Sequence, residues 1–204
     1  MSNGMKFIVC LFLMVFIDTG IAQTEEGDPV VGKEKSKLCQ GCHGEDGNSI
    51  NPLSPNLAGQ LPQYIEKQIH DYQTRIRSDS IMTGMSLGVT SDQDAKDIAA
   101  YFGSQKLKAN FNADKTGRDL FHYGKTEKDL AACASCHGEN GKGKLDDNNA
   151  IPMIGGQLKD YIARELREMR KGSRHNDPDG MMSNIAKKLS DQEIDAVAEY
   201  VSEM

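Results

Sequence analysis

Four cysteines stand as two pairs of equal spacing, Cys39/Cys42 and Cys133/Cys136, and each pair is followed at once by a histidine, His43 and His137. On one helical turn, residues i and i+3 share a face and i+4 stands beside them. Two thiols placed in this way can add to the two vinyl groups of one haem, and the next imidazole then lies beneath the iron. Cys-x-x-Cys-His is the attachment pattern of c-type haem. The sequence therefore predicts two covalently bound haem c groups, with Cys39, Cys42, Cys133 and Cys136 as thioether residues and His43 and His137 as iron ligands. The rival chemistries need other surroundings. A thioredoxin-like redox pair wants a strand-helix-strand context, which the chain does not offer. A zinc site would need further ligands, and the two pairs would have to meet. A disulfide across each pair leaves the repeated histidine unexplained.

Each iron needs a sixth ligand, and methionine opposite histidine gives an electron-transfer site of raised potential. Met82 lies 39 residues after His43, in a loop before the last helical segment of its half, with Met85 as competitor. Met181 and Met182 occupy the corresponding loop of the second half, and counting back from Thr90 and Ser190 pairs Met82 with Met182. Counting from Ser91 would pair Met82 with Met181; the assignment made is Met82 and Met182, the other two methionines being core filler. Of the remaining histidines His70, His122 and His175, the last is best placed as a rival ligand, but all three read as surface or locally bonded residues. Pro55 and Pro152 follow the haem histidines by 12 and 15 residues. They are either ordinary turn prolines or lie in segments whose carbonyl accepts the histidine Nδ1–H and fixes its tautomer. Arg75, Arg77, Arg170 and Arg174 could meet haem propionates, but solvent-exposed helix ends are the commoner fate of such residues.

The elements that must position these residues come in duplicate. Cys39-Gln-Gly-Cys-His-Gly-Glu-Asp-Gly is echoed from Cys133, Pro55-Asn-Leu-Ala-Gly-Gln-Leu from Pro152, and Ser91-Asp-Gln-Asp from Ser190. Three echoes in one order mark each half as a copy of one structural unit. Each unit reads as three helices: one ending at the cysteine pair, one over about 62–76 and 158–171, and one over about 92–104 and 191–203. Ser190 with Glu193 forms a capping box, and Ser91 caps the counterpart. Ile194, Val197, Ala198 and Val201 recur at helical spacing and must face inward. No segment alternates as a strand. The fold class expected is all-α, two tandem haem domains over 23–106 and 107–204, which the resemblance given below implies to be cytochrome c-like, joined by a polar linker at about 106–112.

Lys6, an apolar run from Phe7 to Ile17 and Gly20-Ile21-Ala22 have the order of a secretory leader, so residues 1–22 are expected to be a signal peptide cleaved near Ala22. That run is well short of the roughly 20 residues a membrane-spanning helix needs. The remainder carries −4 over residues 23–106 and −2 over 107–204. An acidic chain without a basic stripe has nothing to neutralise phosphates, which argues against nucleic acid as a partner. With no Trp and 38% hydrophobic residues, two units of this size have thin cores of their own, and a large planar apolar ligand would fill each.

These motifs, together with Leu57-Ala-Gly-Gln, Met82-Thr-Gly, Ala99-Ala-Tyr-Phe-Gly-Ser-Gln, Gly155-Gly-Gln and Ala186-Lys-Lys-Leu-Ser, resemble the cytochrome c4 family of exported dihaem cytochromes over nearly the whole mature chain. The loop after Met82 is one residue longer than the family's pattern and carries Met85. The resemblance implies Met82 and Met182 as axial ligands and haems that meet near the domain interface. It also implies a periplasmic electron carrier of a respiratory chain, passing electrons from a donor such as a membrane cytochrome complex to an acceptor such as a terminal oxidase. With both axial positions closed, neither an enzymatic activity nor a small-molecule substrate is expected, and association with the membrane would be peripheral. The alternatives are a haem subunit of a larger oxidoreductase complex and a dihaem peroxidase-like enzyme, the latter requiring one open axial position.

Overall fold

The structure, a computed structural model, describes residue 1 and residues 26–108, 117–146 and 149–204. The expected leader, Met1 aside, and most of the expected linker lie outside the described residues.

The first unit opens where Asp28 caps α1 (Pro29–Lys35), its carboxylate accepting the N–H groups of Val30 at 2.7 Å and Val31 at 3.3 Å. This satisfies two donors that have no partner within the helix. The chain bends at Ser36, resumes as α2 (Lys37–His43) and stops at Gly44, whose φ of 84° ends the helix just after the histidine. Then follow α3 (Pro62–Gln73), the single turn α4 (Met82–Met85) and α5 (Asp92–Ser104), the last capped by Ser91. α3 is shorter than expected because the chain turns away at Thr74 and Arg75, the latter with φ 60°. Ile65 and Ile69 of α3 pack on Ala95, Ile98, Ala99 and Phe102 of α5.

The second unit runs α6 (Arg118–Tyr123), α7 (Ala134–His137), a hairpin of β1 (Lys144–Asp146) and β2 (Asn149–Ile151), then α8 (Lys159–Lys171), α9 (Met181–Lys187) and α10 (Asp191–Ser202). The strands pair antiparallel, with Lys144 opposite Ile151. They correct the expectation of no strand: three residues per strand are too few to show an alternating pattern. The first helical segment of this unit also ends well before its cysteines, at Gly124, with a turn closed by the Lys125–Leu130 bridge in between. The capping box of α10 is present, and Ile194, Val197, Ala198 and Val201 are buried against Phe121, Leu120 and Leu130 as their spacing predicts. Burying such side chains contributes ~1.5–3 kcal/mol each.

The two units meet through α3 and α8. Arg77 and Arg174, expected at solvent-exposed helix ends, are instead buried, both bonded to Glu165 at 2.6 Å. The arrangement is pseudo-symmetric, since Arg77 donates to the Tyr161 hydroxyl at 3.3 Å and Arg174 to the Tyr64 hydroxyl at 2.9 Å. Lys67 and Asn176 extend the network by bonding to Asp71, and Asn176 also donates to Gln68. Arg75 is exposed and Arg170 pairs with Asp191.

Candidate haem sites

In the first unit, α2 carries Cys39, Cys42 and His43 through its last turn, so both thiols and the imidazole are placed by one rigid element. In the second, Cys133 stands at the cap of α7, which carries Cys136 and His137. All four thiols are free, with Cys42 exposed and the other three half-buried. Cys39 and Cys133 pack against the cores of their units. Burial pushes the Cys39 thiol up, and that of Cys133 up to about 11. Among the described residues no three metal-ligating groups converge.

His43 and His137 are each only 5% exposed. His43 Nδ1 donates to the Pro55 carbonyl at 2.9 Å, and His137 Nδ1 donates to the Pro152 carbonyl at 2.9 Å. Both rings are held neutral by burial, which lowers their pKa against the opposing effect of the carbonyl bond. With Nδ1 occupied as donor, Nε2 is the free lone pair, and among the described residues neither Nε2 has a hydrogen-bond partner. A buried imidazole with an oriented, unused lone pair, beside two thiols on the same turn, fits a haem iron.

The segments that follow the two prolines are held by the glycine four residues past each haem histidine. Gly47 (φ 75°) accepts N–H bonds from Leu57 and Ala58, and Gly141 (φ 61°) accepts from Ile154 and Gly155. A Cβ on Gly47 would lie 2.7 Å from the Ala58 nitrogen, and one on Gly141 2.7 Å from the Gly155 nitrogen, so the close approach also demands glycine.

The methionines fall in short helices on the far side of α3 and α8 in the sequence. The Asp79 carboxylate accepts the Met82 N–H at 2.9 Å and that of Ile81 at 2.8 Å. The Asp177 carboxylate accepts from the Ser183 N–H and from the Ser183 hydroxyl, both at 2.8 Å, one residue past Met182. An aspartate carboxylate capping the segment that carries the methionine in both units favours pairing Met82 with Met182. Met181 is 53% exposed, whereas Met82, Met85 and Met182 are half-buried. His175 is exposed, and His70 faces Asp92 at 3.7 Å. His122 is bonded to the Tyr200 hydroxyl at 2.8 Å and to Glu139 at 3.0 Å.

Sequence reasoning missed the buried glutamines Gln60 and Gln157, which cross between the units, although their place in the repeated Gln-Leu step was visible. It also missed Glu165, whose counterpart in the first unit is Gln68.

A helical unit with two thiols and a carbonyl-oriented histidine, present twice, defines a c-type haem protein with two sites. The family profile described as Cytochrome c matches residues 31–106 and 121–204. Cytochrome c4 of Pseudomonas aeruginosa is 41% identical over 96% of this chain and 97% of its own length. The crystal structure of reduced recombinant cytochrome c4 from Pseudomonas stutzeri superposes with a TM-score of 0.82 at 40% identity, covering 87% of this chain and 99% of that one. A thiosulfate dehydrogenase electron acceptor of Stutzerimonas stutzeri is 32% identical over 79% of this chain and 76% of its own length. The chain belongs to the cytochrome c family, within its cytochrome c4 group. It is all-α with two tandem cytochrome c domains, and it carries two covalently bound haem c groups as an electron carrier acting with other redox proteins.

Proposed function

We propose that this protein passes single electrons in the periplasm from a membrane cytochrome complex to a terminal oxidase, without turning over a substrate of its own. The domains are 23–106 and 107–204, and the leader is cleaved near Ala22. Among the described residues no helix is long and apolar enough to cross a membrane. Haem iron, when bound, supplies a one-electron ferrous–ferric couple. Cys39 and Cys42, and again Cys133 and Cys136, hold the group through thioether bonds. His43 and His137 offer Nε2 to the iron, and the Pro55 and Pro152 carbonyls keep each proton on Nδ1. With haem bound, Met82 and Met182 would be the second protein ligand of each iron and would leave no position for substrate or water.

The observation that carries this reading is that each unit combines a buried, carbonyl-oriented histidine with an aspartate-capped loop that holds Met82 or Met182. The test mixes reduced protein with oxidase-containing membranes in a stopped-flow cell. Rapid oxidation of both haems, inhibited by cyanide acting on the oxidase, is the expected result. Absence of oxidation would remove the oxidase as acceptor. The similarity to a thiosulfate dehydrogenase electron acceptor favours a second reading, in which the donor is a dehydrogenase and the protein is a haem subunit of a larger complex. Stable co-purification with such an enzyme at high salt would support it.

A further inference from the structure

The peptide group that holds each proximal histidine is itself gripped by a glutamine from the other domain. His43 Nδ1 donates to the carbonyl of Pro55, and the N–H of that same peptide unit, on Asn56, donates to Gln157 Oε1 at 2.8 Å. Gln157 Nε2 completes the grip by donating to the Asn56 carbonyl at 2.9 Å. The mirror arrangement serves the second unit. His137 Nδ1 donates to the Pro152 carbonyl, the Met153 N–H of that peptide donates to Gln60 Oε1 at 2.9 Å, and Gln60 Nε2 donates to the Met153 carbonyl at 2.8 Å. Each glutamine is 5% exposed, and its Oε1 is also held by the N–H of the next residue, Leu61 or Leu158, at 3.0 Å. A glutamine whose oxygen is already tied to its own chain is a fixed acceptor rather than a mobile one.

Hydrogen bonds in series polarise one another, and low dielectric strengthens the effect. An amide whose N–H is engaged has a more electron-rich carbonyl, so Gln157 strengthens the bond that orients His43, and Gln60 does the same for His137. A stronger bond at Nδ1 makes the imidazole a more basic ligand. We propose that Gln60 and Gln157 are crossed positioning residues through which each domain sets the proximal ligand, and hence the reduction potential, of the other. This rests on the reading that His43 and His137 ligate the two irons.

Nuclear magnetic resonance of the isotope-labelled ferrous holoprotein tests it, with the two Nδ1–H signals assigned from His43 and His137. Gln157→Ala moves the His43 signal upfield and leaves that of His137 in place, and Gln60→Ala does the reverse. An optical redox titration shows the potential of the affected haem rising, because the weaker ligand stabilises the ferric form less. Gln157→Met and Gln60→Met keep the side-chain volume while removing the polar atoms. They show the same crossed pattern, which separates the hydrogen bond from domain packing. Equal movement of both signals, movement in the mutated residue's own unit, or no movement in the Met variants overturns the proposal. A wild-type haem count below two, or iron still held with unchanged spectra after His43→Ala and His137→Ala, instead defeats the underlying reading, and the crossed clamp falls with it.

Discussion

The two halves of this molecule solve one problem with unequal means. The first unit buries seven residues in its main apolar cluster, whereas the second buries eleven, adding Phe121, Leu120 and Leu130 from the segments before its cysteines. The first unit carries its motif on a helix that reaches the core directly, while the second needs a bridged turn and a hairpin to present an equivalent histidine. The hydrogen-bond geometry at the imidazole is nonetheless the same, 2.9 Å to a proline carbonyl in both. What the duplicated fold conserves between its copies is the ligand's environment, and what it lets vary is the packing behind it.

The largest effect should come from removing one attachment pair at a time. Cys39→Ala with Cys42→Ala, and separately Cys133→Ala with Cys136→Ala, should each halve the haem per polypeptide in a pyridine haemochrome assay. The two variants should then diverge: the smaller core of the first unit leaves it more dependent on its haem, so the first variant loses more helical circular dichroism. Equal losses would show that core size does not decide the matter.

The next effect probes the asymmetry between the units at their interface. Burial alone would raise the Glu165 carboxyl, but Arg77, Arg174 and Arg164 together hold it below its ordinary value, whereas Gln68 holds the matching place without charge. Glu165→Gln strands two buried guanidinium groups and should destabilise the protein by about 3–5 kcal/mol in denaturant unfolding. Gln68→Ala should cost about 1–3 kcal/mol, the penalty of unpaired neutral or shared donors.

A smaller difference appears in acid. Glu193 accepts from Lys125, Lys128 and the Ser190 N–H, and is lowered from 4.5 to about 2, the lysine bonds being the largest cause. A carboxylate with a depressed folded pKa stabilises fully above the unfolded value and loses that contribution as pH falls through the folded one. The second unit should therefore lose this stabilisation between pH 4.5 and about 2. Glu193→Gln should flatten that limb in thermal melts recorded across the range, with little change in the first unit.

Much of the site was legible because it rests on local spacing. Cys-x-x-Cys-His needs only one helical turn, and Ser190 with Glu193 needs only the start of one helix. The Pro55 and Pro152 carbonyls were legible as one of two readings, since their distance from the histidines permitted a contact but did not require it. Arg77 and Arg174 were read as exposed because charged helix ends usually are; their burial depends on Tyr64, Tyr161 and Glu165 arriving from across the interface. Contacts between units separated by about a hundred residues leave no periodic trace in either strand of sequence. For the same reason the repeat displayed Gln60 and Gln157 without revealing that each serves the opposite copy.

Closure of both irons by methionine is tested most directly by the methionine-to-iron charge-transfer band of the ferric protein near the red edge of the visible spectrum. The expected band has the intensity of two such bonds, of which Met82→Ala and Met182→Ala each remove half, with Met85→Ala and Met181→Ala leaving it intact. A band worth a single bond in the wild type, together with carbon monoxide binding to one ferrous haem, would contradict that closure.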